Sequence, residues 1–194
     1  MKLELKHIAK SFHSIPVLRD INLSFGDGGC YCLMSPSGSG KTTLLRILMG
    51  LEKPDEGVIE AEGGAVTVSA VFQEDRLCES FSPLENVMMC TGRVLNASQV
   101  RLEMSRLLPQ ECLSRPAATL SGGMKRRVAV LRALLTPSDI LLMDEPFTGM
   151  DEDLKRSVIA YIKEKQGGRI LILSTHQEED VELIGGKLVK LERV

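Results

Sequence analysis

The stretch Ser35-Pro36-Ser37-Gly38-Ser39-Gly40-Lys41-Thr42-Thr43 decides how this chain is read. Before it, Cys30-Tyr31-Cys32-Leu33-Met34 is an apolar run of strand length. After it, Leu44-Leu45-Arg46-Ile47-Leu48-Met49 reads as a helix that stops near Gly50. A glycine-rich loop between strand and helix is the context a phosphate-binding loop needs. Glycine lets the backbone wrap a phosphate without a Cβ clash. The loop N–H groups and the helix start then point at the anion. Lys41 would reach the β- and γ-phosphates, and the Thr42 hydroxyl would hold Mg²⁺. Ser35 stands where the pattern has its first glycine, and serine resists positive φ. A Gly/Ser-rich turn that binds nothing has the same composition, but the Gly-Lys-Thr-Thr ending argues against it.

Such a loop says "nucleoside triphosphate" and no more. The 194 residues suit one domain with a real core. A hydrophobic fraction of 43% and a charged fraction of 26% are ordinary for a globular chain. The net charge of −2 gives no basic field, which argues against nucleic acid as a partner. Lys125-Arg126-Arg127 is a short basic run that reads as a solvated helix face, or as a contact for an acidic partner or lipid head groups. Cys30, Cys32, Cys78, Cys90 and Cys112 lack paired metal-ligand spacing and fit a reducing cytosolic compartment. The alternating start, Met1 to Lys6, has no signal-peptide core. No apolar run approaches the ~20 residues that span a bilayer, so a membrane role would come through a partner.

Working outward, residues 2–8 and Pro16 to Phe25 read as strands. Phe12 lies between them. An aromatic there can stack on an adenine ring or be an ordinary phenylalanine, and its position alone does not choose. Val58 to Ala61 and Ala65 to Phe72 are strand-like, and the second ends at Gln73. An uncharged Gln73 can ligate Mg²⁺ or hold a water and still swing away; a plain surface glutamine would look the same. Residues 74–119 turn helical and loop-like. Ser82-Pro83-Leu84-Glu85 is a capping box with proline at the first helical position. A second helix is expected from Asn96 to about Leu108. The region is too short for its own core and reads as an inserted helical subdomain, about 74–135, within a core of about 1–73 and 136–194.

Ser121 is a good N-cap, and Gly122-Gly123 expose N–H groups at a helix start, a second phosphate site or simply a capped helix. Ile140-Leu141-Leu142-Met143-Asp144-Glu145 is an apolar strand ending in two carboxylates. In phosphate-loop enzymes the first such carboxylate holds Mg²⁺, and the next can polarise an attacking water. Asp151 caps a helix to about Gln166. A further buried strand, Ile170 to Leu173, leads to His176, which is either structural or bonded to a γ-phosphate. A short helix, about Glu178 to Ile184, and a last strand, Lys187 to Leu191, follow.

With these pieces in order, the chain resembles the nucleotide-binding subunit of ATP-binding cassette (ABC) transporters nearly end to end. Ser35 to Thr43 resembles Walker A, Gln73 the Q-loop glutamine, and Leu120-Ser121-Gly122-Gly123-Met124 the family signature. Asp144-Glu145 resembles Walker B with its catalytic glutamate. Met150-Asp151 resembles the D-loop, His176 the switch histidine and Phe12 the adenine-stacking aromatic. Met124 after the signature glycines, with Val71 to Leu77, is similar to importers of the nitrate/sulfonate/taurine type.

The departures are Ser35, the Thr148-Gly149-Met150-Asp151 ending, a short last helix and no added C-terminal domain. They are expected to lower affinity or turnover without removing a chemical group.

The resemblance implies an α/β P-loop NTPase of RecA-like type. That is a mostly parallel sheet with an N-terminal antiparallel part and the helical insertion. It implies ATP and Mg²⁺ as ligands, with the metal at Thr42, Gln73 and Asp144. It implies nucleotide contacts from Phe12, Ser35, Pro36, Ser37, Gly38, Ser39, Gly40, Lys41, Thr42 and Thr43. Catalysis would fall to Glu145, His176 and Gln73. Two copies would pair head-to-tail, with Ser121, Gly122 and Gly123 meeting the partner's ATP. An integral membrane permease would dock beside Gln73 on the cytoplasmic face, and a solute-binding protein would take part indirectly. A single-cassette ABC ATPase in cell division or the envelope would carry the same motifs, and so would a module that binds ATP without turnover.

Overall fold

A computed structural model of the chain describes residues 1–92 and 94–192. β1 (Lys2–Phe12) and β2 (Ile15–Gly26) form an antiparallel hairpin. β3 (Cys30–Leu33) leads through the glycine-rich loop to α1 (Lys41–Leu48). β4 (Glu56–Ala61) pairs with β1, which gives a three-stranded sheet of order β2-β1-β4. β5 (Val68–Val71) is followed by α2 (Pro83–Thr91), α3 (Ala97–Met104) and α4 (Gly122–Leu135). Then come β6 (Ile140–Asp144), α5 (Glu152–Lys165), β7 (Ile170–Ser174), α6 (Glu178–Ile184) and β8 (Lys187–Val189).

The second sheet has the order β5-β6-β7-β3-β8, and all its pairings are parallel. Parallel sheets are covered on both faces, which is why β6 and β7 are buried at every residue. Alternate side chains then feed two cores. Leu141 and Met143 pack toward α2–α6, and Ile140 and Leu142 pack toward α1 and the hairpin. The strand order puts β3 next to β7, and β7 next to β6. Their C-terminal ends share one rim, where α/β sheets bind ligands.

The expected capping box at Ser82 forms, and the structure adds a second at Asn96. Ser82 and Glu85 exchange bonds of 3.3 and 2.8 Å, and Asn96 and Gln99 exchange bonds of 3.0 and 2.9 Å. The second helix ends at Met104, short of the expected Leu108. Below it Arg106 turns back to grip Glu164 of α5 at 2.8 and 2.6 Å, and this pairing holds the Glu164 carboxyl down at about 2. The helical region shares its buried side chains with the sheet. Val87, Val100 and Met104 belong to the same cluster as Leu141 and Leu171.

Other expectations shift. β1 runs on to Phe12, past residue 8. β5 starts at Val68 rather than residue 65, because Thr67 is taken up by Asp139, whose carboxylate accepts from its N–H and hydroxyl at 2.7 Å. β8 stops at Val189 rather than Leu191. Lys125-Arg126-Arg127 is not a solvated face. Arg126 is buried, with its guanidinium against the backbone of Phe72 and Gln73. Arg127 donates to the carbonyls of Gly123 and Leu107 at 3.1 and 2.5 Å. Carbonyl groups left over by loops are the acceptors that draw these side chains in. Of the two cysteines in β3, Cys32 is fully buried and Cys30 only partly so, and all five cysteines are free thiols.

Candidate functional site

The loop Ser35–Gly40 is shaped by glycine where glycine is required. Gly40 caps α1 at φ 87°, and a Cβ there would lie 2.6 Å from Leu18 Cδ2 and 2.9 Å from Val17 O. No other residue fits that close approach in that conformation. Gly38 is also left-handed, at φ 81°. Ser35 is not, so the serine carries none of the expected backbone strain. Its hydroxyl donates to Met34 O at 2.8 Å and accepts the Leu191 N–H at 2.7 Å. The departure from glycine therefore stitches the loop to the segment after β8.

Inside the loop, Lys41 Nζ donates to Ser35 O at 2.5 Å and to Pro36 O at 3.2 Å. Burial pushes its ammonium below the usual lysine range, while Glu145 and Asp144 pull it the other way. Both carboxylates thus lie within electrostatic reach of the lysine. Ser39 is buried and its hydroxyl has no partner, a polar atom that an anion in the loop would satisfy. Pro36, Ser37, Gly38 and Thr42 are exposed, and Thr43 is half-buried.

Facing the loop, Asp144 ends β6 opposite Ser174 of β7. Ser174 donates to Asp144 Oδ1 at 2.5 Å and accepts the Glu145 N–H at 2.9 Å. Sequence reasoning passed over this serine. Its only signal was its place at the end of an apolar strand. Glu145 sits at φ 48°, a left-handed conformation costly for a side-chain-bearing residue. Its Oε1 meets His176 Nε2 at 2.7 Å. The strained turn and the serine together aim the carboxylate across the rim at the histidine. A cavity of about 290 Å³ opens here, lined by Glu145, Thr148, Gly149, Ser174, His176 and Gln177.

Gln73 lies two residues past β5 and is exposed. With Thr42 and Asp144 it lines a second cavity of about 80 Å³. A hydroxyl, an amide and a carboxylate form an all-oxygen set, which fits Mg²⁺. No group of three or more His, Cys, Asp or Glu among the described residues could hold a metal. Mg²⁺ does not need one, because it binds through one or two carboxylates and substrate phosphates.

Two expected elements stand apart. Ser121 caps α4, its hydroxyl accepting the Met124 N–H at 3.3 Å, and Ser121 and Gly122 are exposed. Ser121, Gly122 and Gly123 line neither the 80 Å³ nor the 290 Å³ cavity. Gly123 instead approaches Gly149, whose carbonyl a Cβ would meet at 3.0 Å. Phe12 is 41% exposed at the hairpin tip, with Lys10 Nζ 5.3 Å from its ring centroid. It connects to the loop through β2, whose Val17 and Leu18 abut Gly40.

Comparison with known proteins bears on this arrangement. The chain is 31% identical over 98% of its length to a spermidine/putrescine import ATP-binding protein of Clostridium novyi. It is 32% identical over its full length to a sulfate/thiosulfate import ATP-binding protein of Escherichia coli. It is 34% identical over 93% of its length to a Nod factor export ATP-binding protein of Cupriavidus pinatubonensis. It spans 58–60% of these relatives' lengths. The dimeric structure of a bacterial ABC transporter cassette superposes with a TM-score of 0.85 at 25% identity, covering 97% of this chain and 94% of that one. A post-hydrolysis structure of that cassette with ADP and Pi gives 0.84, also at 25% identity, covering 98% of this chain and 94% of that one. The ABC transporter family model matches residues 18–148, from β2 through the Glu145 turn, and the chain belongs to that family.

Proposed function

We propose that this chain binds ATP and hydrolyses it to ADP and phosphate, as the energising subunit of an importer. The observation that carries the reading is the Glu145–His176 contact of 2.7 Å, on the rim shared with buried Lys41. Glu145 takes a proton from the attacking water. His176 keeps that carboxylate oriented and can donate to the transferring phosphate. Lys41, now held on loop carbonyls, exchanges those bonds for phosphate oxygens. Mg²⁺, which Thr42, Gln73 and Asp144 would hold, neutralises charge on the phosphates when bound. Phe12 takes the base, and the loop from Ser35 to Thr43 takes the phosphates.

Two copies pair head-to-tail, so that Ser121, Gly122 and Gly123 close on the partner's nucleotide. The exposure of Ser121 and Gly122, outside the 80 Å³ and 290 Å³ cavities, supports this reading. An integral membrane permease docks in a groove of about 410 Å³ lined by Met49, Leu51, Phe72, Arg76, Cys90 and Arg132. The groove has an apolar floor and two arginines, and it runs next to Gln73. The helical subdomain, about 74–135, shares that contact with the core, contributing Arg76, Cys90 and Arg132. No helix among the described residues is long and apolar enough to cross a membrane. On this reading the chain works from the cytoplasmic face, bound to the permease. The cargo is a small solute brought by a solute-binding protein. The finer reading, an anion of the nitrate or sulfonate type, rests on Met124 and on Val71 to Leu77. The named relatives carry sulfate/thiosulfate, spermidine/putrescine and Nod factor instead.

Affinity purification of the tagged chain from detergent-solubilised cells tests the assembly. A multi-span membrane protein in equal amount is expected, and a soluble division-associated partner would sink the transport reading. Steady-state phosphate release with Mg-ATP tests the chemistry, and zero turnover by the intact assembly would sink it.

A further inference from the structure

The helix that begins with Ser121-Gly122-Gly123 also grips the segment that carries Gln73. Arg126, one turn into α4, donates from Nη1 to Phe72 O at 2.5 Å and from Nη2 to Gln73 O. Its Nε lies 3.3 Å from Asp75 Oδ1. Arg132, on the same helix, donates to Arg76 O at 2.9 Å and to Asp75 O at 3.1 Å. Two arginines of one helix thus take four carbonyls of one short segment.

That segment has little else to hold it. Among the described residues, the peptide groups of Gln73–Leu77 make no backbone–backbone hydrogen bond. Arg76 sits at φ 45°, a strained conformation that needs outside support. The Arg126 side chain is only 8% exposed, and a planar guanidinium makes its bonds in a fixed fork. A short irregular segment gripped this way has to move with the helix. Gln73 lines a cavity with Thr42 and Asp144 on its own chain. Ser121 and Gly122 are exposed at the start of the same helix, just before Arg126.

We infer that Arg126 is a positioning residue that joins the two nucleotide-facing ends of the chain. Through it the position of Gln73, set by the chain's own nucleotide, fixes the position of the Ser121 helix start that meets the partner's nucleotide. The inference rests on the proposed ATP-dependent pairing of two copies. It goes beyond that pairing by naming the side chain through which one site is felt at the other.

The test is a double-mutant cycle on the full chain. Arg126→Ala and Gln73→Ala are made singly and together in a Glu145→Gln background. Mg-ATP-dependent dimer formation is followed by light scattering, and binding of a fluorescent ATP analogue to the monomer is measured separately. Arg126→Ala is expected to raise the ATP concentration for half-maximal dimer on the order of tenfold, and to add less than about twofold once Gln73 is already alanine. Monomer nucleotide affinity should stay within about twofold, because Arg126 does not touch the loop. Arg126→Lys, which reaches one carbonyl at a time, should recover less than half of the loss. If the alanine variant does not fold, Arg126→Gln is put through the same cycle. An equal loss with and without the Gln73 side chain overturns the inference while leaving the ATPase reading intact. No dimer even with Arg126 in place overturns both.

Discussion

Two Gly/Ser-rich helix starts sit in this chain, and they are built differently. At Gly38 and Gly40 the backbone is left-handed, Lys41 is buried, and the Ser39 hydroxyl has no partner. At Gly122 and Gly123 neither φ is positive, the Ser121 hydroxyl caps its own helix, and the surface is open. The first keeps one buried hydroxyl, that of Ser39, still to be satisfied. The second is already satisfied as a helix cap and offers its remaining N–H groups outward. The same residue types therefore give a strained loop with a buried lysine in one place and a self-capped, exposed helix start in the other. What separates them is whether the surrounding chain folds over the helix start.

The largest effect should come from the chemistry between these ends. Glu145→Gln removes the proposed base and keeps the shape, so phosphate release should fall by roughly 10²–10⁴-fold. Nucleotide binding should survive, and an ATP-bound dimer should accumulate in light scattering. A variant that turns over normally would detach Glu145 from catalysis altogether.

Next is the open helix start. Gly122→Asp puts a carboxylate where a partner's phosphate is expected, and turnover should drop by about 10²-fold. Affinity of the monomer for nucleotide should barely move. If monomer binding weakens as much as turnover, the two helix starts do not act separately.

A matched pair of alanines sharpens the contrast. Gly40→Ala meets Leu18 and Val17 at a left-handed φ, and should cost about 1–3 kcal/mol in urea unfolding along with most nucleotide affinity. Gly122→Ala meets nothing within 4 Å and should change stability by no more than about 0.5 kcal/mol.

The smallest effect concerns Ser35. Ser35→Gly restores the pattern residue but leaves the Leu191 N–H without its acceptor. It should cost about 1 kcal/mol, a drop in Tm of roughly 2–4 °C for a chain of this size. A rise in stability would mean that the serine is tolerated rather than used.

Much of the site was legible because its parts are local. A phosphate loop needs glycines within a few residues of a lysine, and Ser35 to Thr43 has them in line. Asp144-Glu145 and His176 follow apolar runs short enough to be parallel strands, and the rim of a parallel sheet is where such strand ends meet. Two readings failed, and one residue was passed over, for the opposite reason. Lys125-Arg126-Arg127 looked solvated because nothing nearby in sequence shows that Phe72, Gln73 and Leu107 will present bare carbonyls to it. Ser174 drew no reading because its two partners lie 30 and 29 positions away. Ser35 looked like a defect because its acceptor role depends on Leu191, which is 156 residues distant.

The sequence by itself determined the element types, the phosphate loop, the order of the acidic and histidine strand ends, and membership of the ABC transporter family. These follow from short-range rules of period, capping and glycine placement, which act within a few residues. Only the tertiary structure decided which helix start buries its lysine and which caps itself, what the buried arginines hold, and what stands in for the missing glycine. Those outcomes depend on which distant backbone groups are left without hydrogen bonds once the sheet has closed. Every such group has to be answered by whatever side chain the fold brings to it.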